Sequence, residues 1–195
     1  MNIYAKPGDK IIYAFPKNGR EVDQALADKW LKLGDVYTVE AIERNLSFTT
    51  VYLEKLPNLR FNSSLFEDYF ETKITIKNHL TDLNAYIAAI NRNRLAGNRI
   101  KQKETYVVRH AFLQKIDEFK NLKLPIALDI IWFCKDKRKD KDNIAFAIKF
   151  ILDGMIAAGV IKNDGWSEIS GFSHHFEVDK KRPRIEITVR NEPDV

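Results

Sequence analysis

Between residues 10 and 70 apolar positions come in short strand-like runs, KIIYAFP, DVYTVEAIE, FTTVYLE and NLRFNSSLFEDYF, separated by turn residues. One helical stretch, VDQALADKWLKLG, interrupts them. Four or five short strands with turns between them predict a small β-barrel over residues 1–71. The pattern then restarts. TKITIKN reads as a strand, followed by a long helical stretch broken near Ala96–Gly97, and then by the buried strand IALDIIWFC. A helix over 143–159 and the strands GFSHHFEVD and PRIEITVR complete the order βαβαββ, an α+β layer arrangement over residues 72–195. The domain boundary is expected near Phe70–Lys73.

Charge divides at the same place. Residues 1–71 hold 9 Lys/Arg against 11 Asp/Glu, while the rest of the chain holds 23 against 16. The second domain therefore carries the positive charge that a polyanion would meet. The richest apolar run, 144–161, is interrupted by Lys149 and Asp153, which excludes an ordinary spanning helix. MNIYAKPGDK has no apolar signal core, so a cytosolic location and no membrane partner are expected. A single cysteine, Cys134, rules out an intramolecular disulfide and a thiolate zinc site, and reads as a buried small hydrophobe. The first domain has no His, no Cys and no Gly-rich phosphate loop, so its chemistry is silent.

The stretch KDKRKDKDN, 135–143, joins the buried strand to the second helix. If the chain leaves the strand extended, Asp140 and Asp142 face one way at about 6.6 Å spacing. Two carboxylates that close repel unless a cation lies between them, and oxygen-only ligands favour magnesium, with manganese possible. Lys137, Arg138, Lys139 and Lys141 are interleaved where phosphates would arrive. The competing reading is a solvated turn into a helix with Asp142 or Asn143 as N-cap. A calcium loop starting at Asp140 fails, because Ala145 and Ile151 stand where Gly and Glu are required.

Three further features bear on the choice. Asp164, in GVIKNDGWSEI, offers a third acid just past the helix, although Asp before Gly is also a common turn residue. The segment 83–103 carries Arg92, Arg94, Arg99, Lys101 and Lys103 with no acid, a one-signed run suited to a phosphate backbone. Lys180, Lys181, Arg182 and Arg184 surround Pro183, as a second basic patch or as a charged turn. His174 and His175 face opposite sides of a strand and cannot chelate one ion together. Of Trp30, Trp132 and Trp166, the first reads as part of an apolar helix face and the second as core, which leaves Trp166 as a DNA contact.

DKRKDKDNIAFAIKFILDGMIAAGVIKNDGWSEI resembles the core of the RusA family of Holliday junction resolvases. That family has Asp-x-Asp-Asn at a helix start and a third Asp in a Gly-x-x-x-(Asn/Asp)-Asp context; here these are DKDN at 140–143 and GVIKND at 159–164. Weaker similarity covers ITIKNHLTDLNAYIAAINRNRLAG and PRIEITV, so the resemblance spans about residues 72–190. It implies a magnesium-dependent homodimeric endonuclease that cuts four-way DNA junctions in recombination and repair, typically phage-encoded. Asp140, Asp142 and Asp164 would then be catalytic metal ligands. The family's catalytic Lys, one turn into the helix, is Phe146 here, and Lys149 one turn further on is its expected substitute. The alternative is a non-catalytic branched-DNA-binding protein on the same fold. KIIYAFPKNG, LKLGDVYTVE and RFNSSLFED resemble a small phage-encoded domain, which implies a Src-homology-3-like barrel and no activity.

Overall fold

The computed structural model describes residues 1–120 and 122–191. The last four residues of the expected second domain lie outside them. The architecture is α+β, with two sheets, and the chain divides into two compact units that meet between Phe70 and Glu71.

In the first unit β1 (Lys10–Tyr13), β2 (Val36–Arg44), β3 (Thr49–Leu53), β4 (Leu56–Asn62) and β5 (Phe66–Asp68) form one sheet in the order β4-β3-β2-β1-β5. Its ladders are antiparallel. Inward residues from these strands, among them Ile11, Tyr13, Val39, Val51, Phe61 and Phe66, build the core. Helix α1 (Glu21–Trp30) adds Ala27. Trp30, expected on an apolar face, is 47% exposed with Lys29 over its ring, because only a narrow stripe of α1 turns inward.

The second unit starts with β6 (Glu71–Lys77), whose Thr72, Ile74 and Ile76 are buried while Glu71, Lys73, Thr75 and Lys77 are exposed. Helices α2 (Leu83–Arg92) and α3 (Arg94–Leu113) follow. The break between them falls at Asn93, not at the expected Ala96–Gly97, because Asn93 leaves helical backbone and its Oδ1 caps α3 by accepting the Ala96 N–H at 2.7 Å. Gly97 is instead buried inside α3, where a Cβ would meet Ile90 Cγ1 of α2 at 2.6 Å.

Strand β7 (Ile126–Cys134) leads to α4 (Lys141–Ala145) and α5 (Ile148–Ala158), and then come β8 (Ile169–Val178) and β9 (Arg184–Asn191). The sheet order is β6-β9-β7-β8, with β7 and β8 parallel and the other ladders antiparallel. A parallel pair needs a long crossover, and α4 with α5 supplies it. The expected single helix over 143–159 is two helices. At the join the Ala147 and Lys149 N–H groups bond three residues back, to Ile144 (3.1 Å) and Phe146 (3.1 Å), tightening the turn. Val108 and Phe112 of α3 and Phe150, Ile151 and Met155 of α5 are buried with Leu128, Ile130 and Trp132 of β7.

Candidate functional site

The charged junction after β7 is largely tied down by its own partners. Arg138 reaches Asp136 through both backbone and guanidinium, at 3.0 and 2.8 Å. Lys139 pairs with Asp82, the N-cap of α2, whose other oxygen accepts the Ala85 N–H at 3.0 Å. Burial by itself would raise the Asp82 carboxyl. Lys139 and the backbone N–H outweigh it and hold the group below the usual carboxylate range. Lys141 sits over the Phe176 ring at 5.6 Å. Lys137 is exposed and has no ion pair among the described residues.

The pleat argument for Asp140 and Asp142 does not hold. Asp140 is the last extended residue, at φ −68 and ψ 148, and serves as the N-cap of α4, while Asp142 is already inside the first helical turn. Asp140, not Asp142 or Asn143, is therefore the cap, yet its side chain makes no capping hydrogen bond. Both carboxylates are exposed, and among the described residues neither has a hydrogen-bond or ion-pair partner.

Gly159, at φ +77, ends α5 and releases the chain into the loop that carries Asp164. That loop returns Asp164 to the first turn of α5. Lys149 Nζ lies 3.7 Å from Asp164 Oδ2 and donates to Asp153 Oδ1 at 2.7 Å. The Asp153 hydrogen bond, aided by Asp164, raises the Lys149 ammonium above its ordinary pKa, so it stays charged. Lys101 of α3 approaches the other Asp153 oxygen at 3.2 Å. Phe146 is half-buried and packs on Tyr86 of α2 (5.4 Å) and on Phe150 (5.7 Å).

The structure thus unites Lys149 with Asp164 and adds Asp153, which sequence reasoning passed over although an i,i+4 Lys-Asp pair was there to be seen. Asp82 was missed too, despite its position just before an apolar helix. Among the described residues no three His, Cys, Asp or Glu side chains form a group arranged to hold a metal, so Asp140, Asp142 and Asp164 are not a preassembled ligand shell.

Arg92, Arg94 and Arg99 are exposed and lack ion pairs among the described residues. The expectation that this run faces no acid fails for two members: Lys101 pairs with Asp153, and Lys103 lies 3.8 Å from Glu104. Tertiary packing brought the first acid, from α5; the second is the next residue along α3. The turn 179–184 is built on Asp179, which accepts the Lys181 and Arg182 N–H groups and pairs with Arg184 at 2.9 Å. Arg184 also covers the Phe133 ring at 3.6 Å. His174 accepts the Trp132 indole N–H at 3.0 Å while His175 is exposed, and burial first, then His175, lowers the His174 pKa. Trp166 is 95% exposed, Trp132 2%. Cys134 is half-buried, more open than a core hydrophobe, because β7 ends there beside a pocket.

Residues 2–87 match the family described as bacteriophage T4 protein Y07B. The match takes in residues 2–70 of the first unit, β6 and the start of α2. No curated protein matches the chain. Among the described residues no helix is long and apolar enough to cross a membrane.

Proposed function

We propose that the chain is a metal-dependent endonuclease acting on branched DNA, with a RusA-like second unit and a Src-homology-3-like first unit. The meeting of Lys149 and Asp164 carries this reading. Those two residues are 15 apart in sequence; Asp164 is one of the three acids the resemblance implies, and Lys149 is the expected substitute for its lysine. The match of residues 2–87 to a phage protein family agrees with a phage-borne enzyme.

The donor chemistry fits a hard divalent ion such as magnesium: Asp140 and Asp142 offer two unengaged carboxylates, and Asp164 a third. When bound, the ion would lower the pKa of a water and offset charge on the phosphoryl oxygens. Lys149 would hold its ammonium toward the same phosphoryl group, kept charged by Asp153. Arg92, Arg94 and Arg99 would lie along the flanking backbone, and Trp166 offers an exposed ring to a base. A homodimer would present two such sites to the two equivalent strands of a junction.

The open arrangement of the three acids and the packing role of Phe146 favour a second reading, a branched-DNA-binding protein without cleavage. A four-way junction incubated with and without magnesium, and run on a denaturing gel, separates the two. Paired symmetric nicks that need magnesium are expected. Binding without nicks would leave the second reading.

A further inference from the structure

The same charged junction forms one wall of a pocket of about 500 Å³, within the size range of small-molecule sites. Leu80 and Trp132 make an apolar floor, 5% and 2% exposed, with Ile144 and Cys134 beside them. The Trp132 indole N–H is already spent on His174, so the floor offers carbon surface rather than a donor.

The mouth has a different character. Its two carboxylates are occupied: Asp82 by Lys139 and the Ala85 N–H, Asp136 by Arg138. Lys135 is exposed there and has no ion pair among the described residues. Three cations against two engaged acids leave the mouth positive. A ligand that suits both parts has a flat apolar ring and an anionic group on a short arm. One residue beyond Lys139, the chain delivers Asp140.

We infer that this pocket binds a nucleotide, its base against Leu80, Trp132 and Ile144 and its phosphate at Lys135 and Arg138. That this nucleotide is the unpaired one flanking the cut phosphate rests on the nuclease reading; the ligand class rests on the pocket alone. Taking a base out of the stack costs a few kcal/mol, least at a branch point where pairing is already broken. Leu80, Trp132 and Ile144 present carbon surface to purine and pyrimidine alike, although His79 also lines the pocket.

Cys134 lines the pocket and is the chain's only cysteine, so its modification reports on this place alone. Burial raises its thiol pKa, so the reaction is run at mildly alkaline pH. The full-length protein is treated with N-ethylmaleimide and followed by intact mass. The additions are millimolar dAMP, dTMP, deoxyribose 5-phosphate or inorganic phosphate, or a short single-stranded oligonucleotide. Both nucleotides and the oligonucleotide are expected to slow modification by about fivefold or more, the protection given by ligand several times above its Kd. The two base-free phosphates should leave the rate nearly unchanged.

Equal protection by inorganic phosphate would make this a plain anion site and overturn the inference. So would unchanged rates with every nucleotide. Protection by mononucleotides but not by the oligonucleotide would refute the flanking-nucleotide part. If Cys134 proves unreactive, the Trp132 indole N–H resonance decides. It should shift on dAMP titration while that of Trp30, in the first unit, does not, and a static Trp132 overturns the inference. A junction-cleavage gel on the same preparation keeps the questions apart. Protection without cleavage removes the nuclease reading and leaves the pocket; cleavage without protection does the reverse.

Discussion

Lys149 Nζ stands 3.7 Å from Asp164 Oδ2, across the turn that Gly159 makes possible at the end of α5. Under single-turnover conditions Lys149→Ala should slow junction cleavage at least about tenfold, some 1.4 kcal/mol, with junction affinity little changed. A near-native rate beside a large loss in Lys141→Ala would transfer the role to Lys141.

Asp140→Asn, Asp142→Asn and Asp164→Asn should each abolish cleavage while binding survives or tightens. Removing negative charge from a phosphate-facing surface does not weaken its electrostatic attraction. Full cleavage by Asp164→Asn, measured on the same gel, would break the three-acid scheme.

Arg92, Arg94 and Arg99 are the members of the basic run left without acidic partners among the described residues. Replacing all three with Ala should weaken junction binding and flatten its log–log salt dependence by up to about 0.9 per lost phosphate contact. Lys101→Ala is expected to act differently, since it also strips Asp153 of a charge partner. An unchanged salt slope in the triple variant would put the DNA surface elsewhere.

Asp82 caps α2 and holds Lys139. Asp82→Ala should cost about 1–2 kcal/mol in urea unfolding, from the lost cap and the lost pair. Folding lowers the Asp82 pKa, so its contribution is present above the ordinary carboxylate range. It fades as pH falls through the lowered value. Stability measured against pH should therefore fall less steeply in acid for Asp82→Asn than for the native chain.

Two glycines should answer differently to alanine. At Gly154 the new Cβ would meet Val108 Cγ1 at 2.4 Å and the Arg109 backbone nitrogen at 3.1 Å. Val108 is fully buried and stiff at χ1, so the clash outweighs the helix propensity gained, at about 1–3 kcal/mol. At Gly159 space is open but φ is +77, which costs an alanine about 1–2 kcal/mol of backbone strain. Thermal melts of Gly154→Ala should show poorer α3–α5 packing as lost near-ultraviolet signal, which Gly159→Ala should keep.

The alternation of TKITIKN and PRIEITVR determined the strands β6 and β9 by itself, because a period of two leaves one face to bury whatever the neighbours are, whereas β1 buries Ile11, Ile12 and Tyr13 in succession. The α+β order of the second unit followed in the same way. Helix breaks were less legible. Gly97 reads as a breaker in sequence, yet it is kept for the close approach of Ile90, while the break belongs to the cap at Asn93. The split between α4 and α5 falls beside Phe146, which packs against Tyr86, 60 residues away. In the site, the residue types were readable and their pairings were not. Lys149 with Asp164, Lys139 with Asp82 and Lys101 with Asp153 each join separate segments, and charge reaches whatever the folded chain sets within a few ångströms. Sequence spacing measures distance along the backbone, so only the tertiary structure decided which cations stay unpaired.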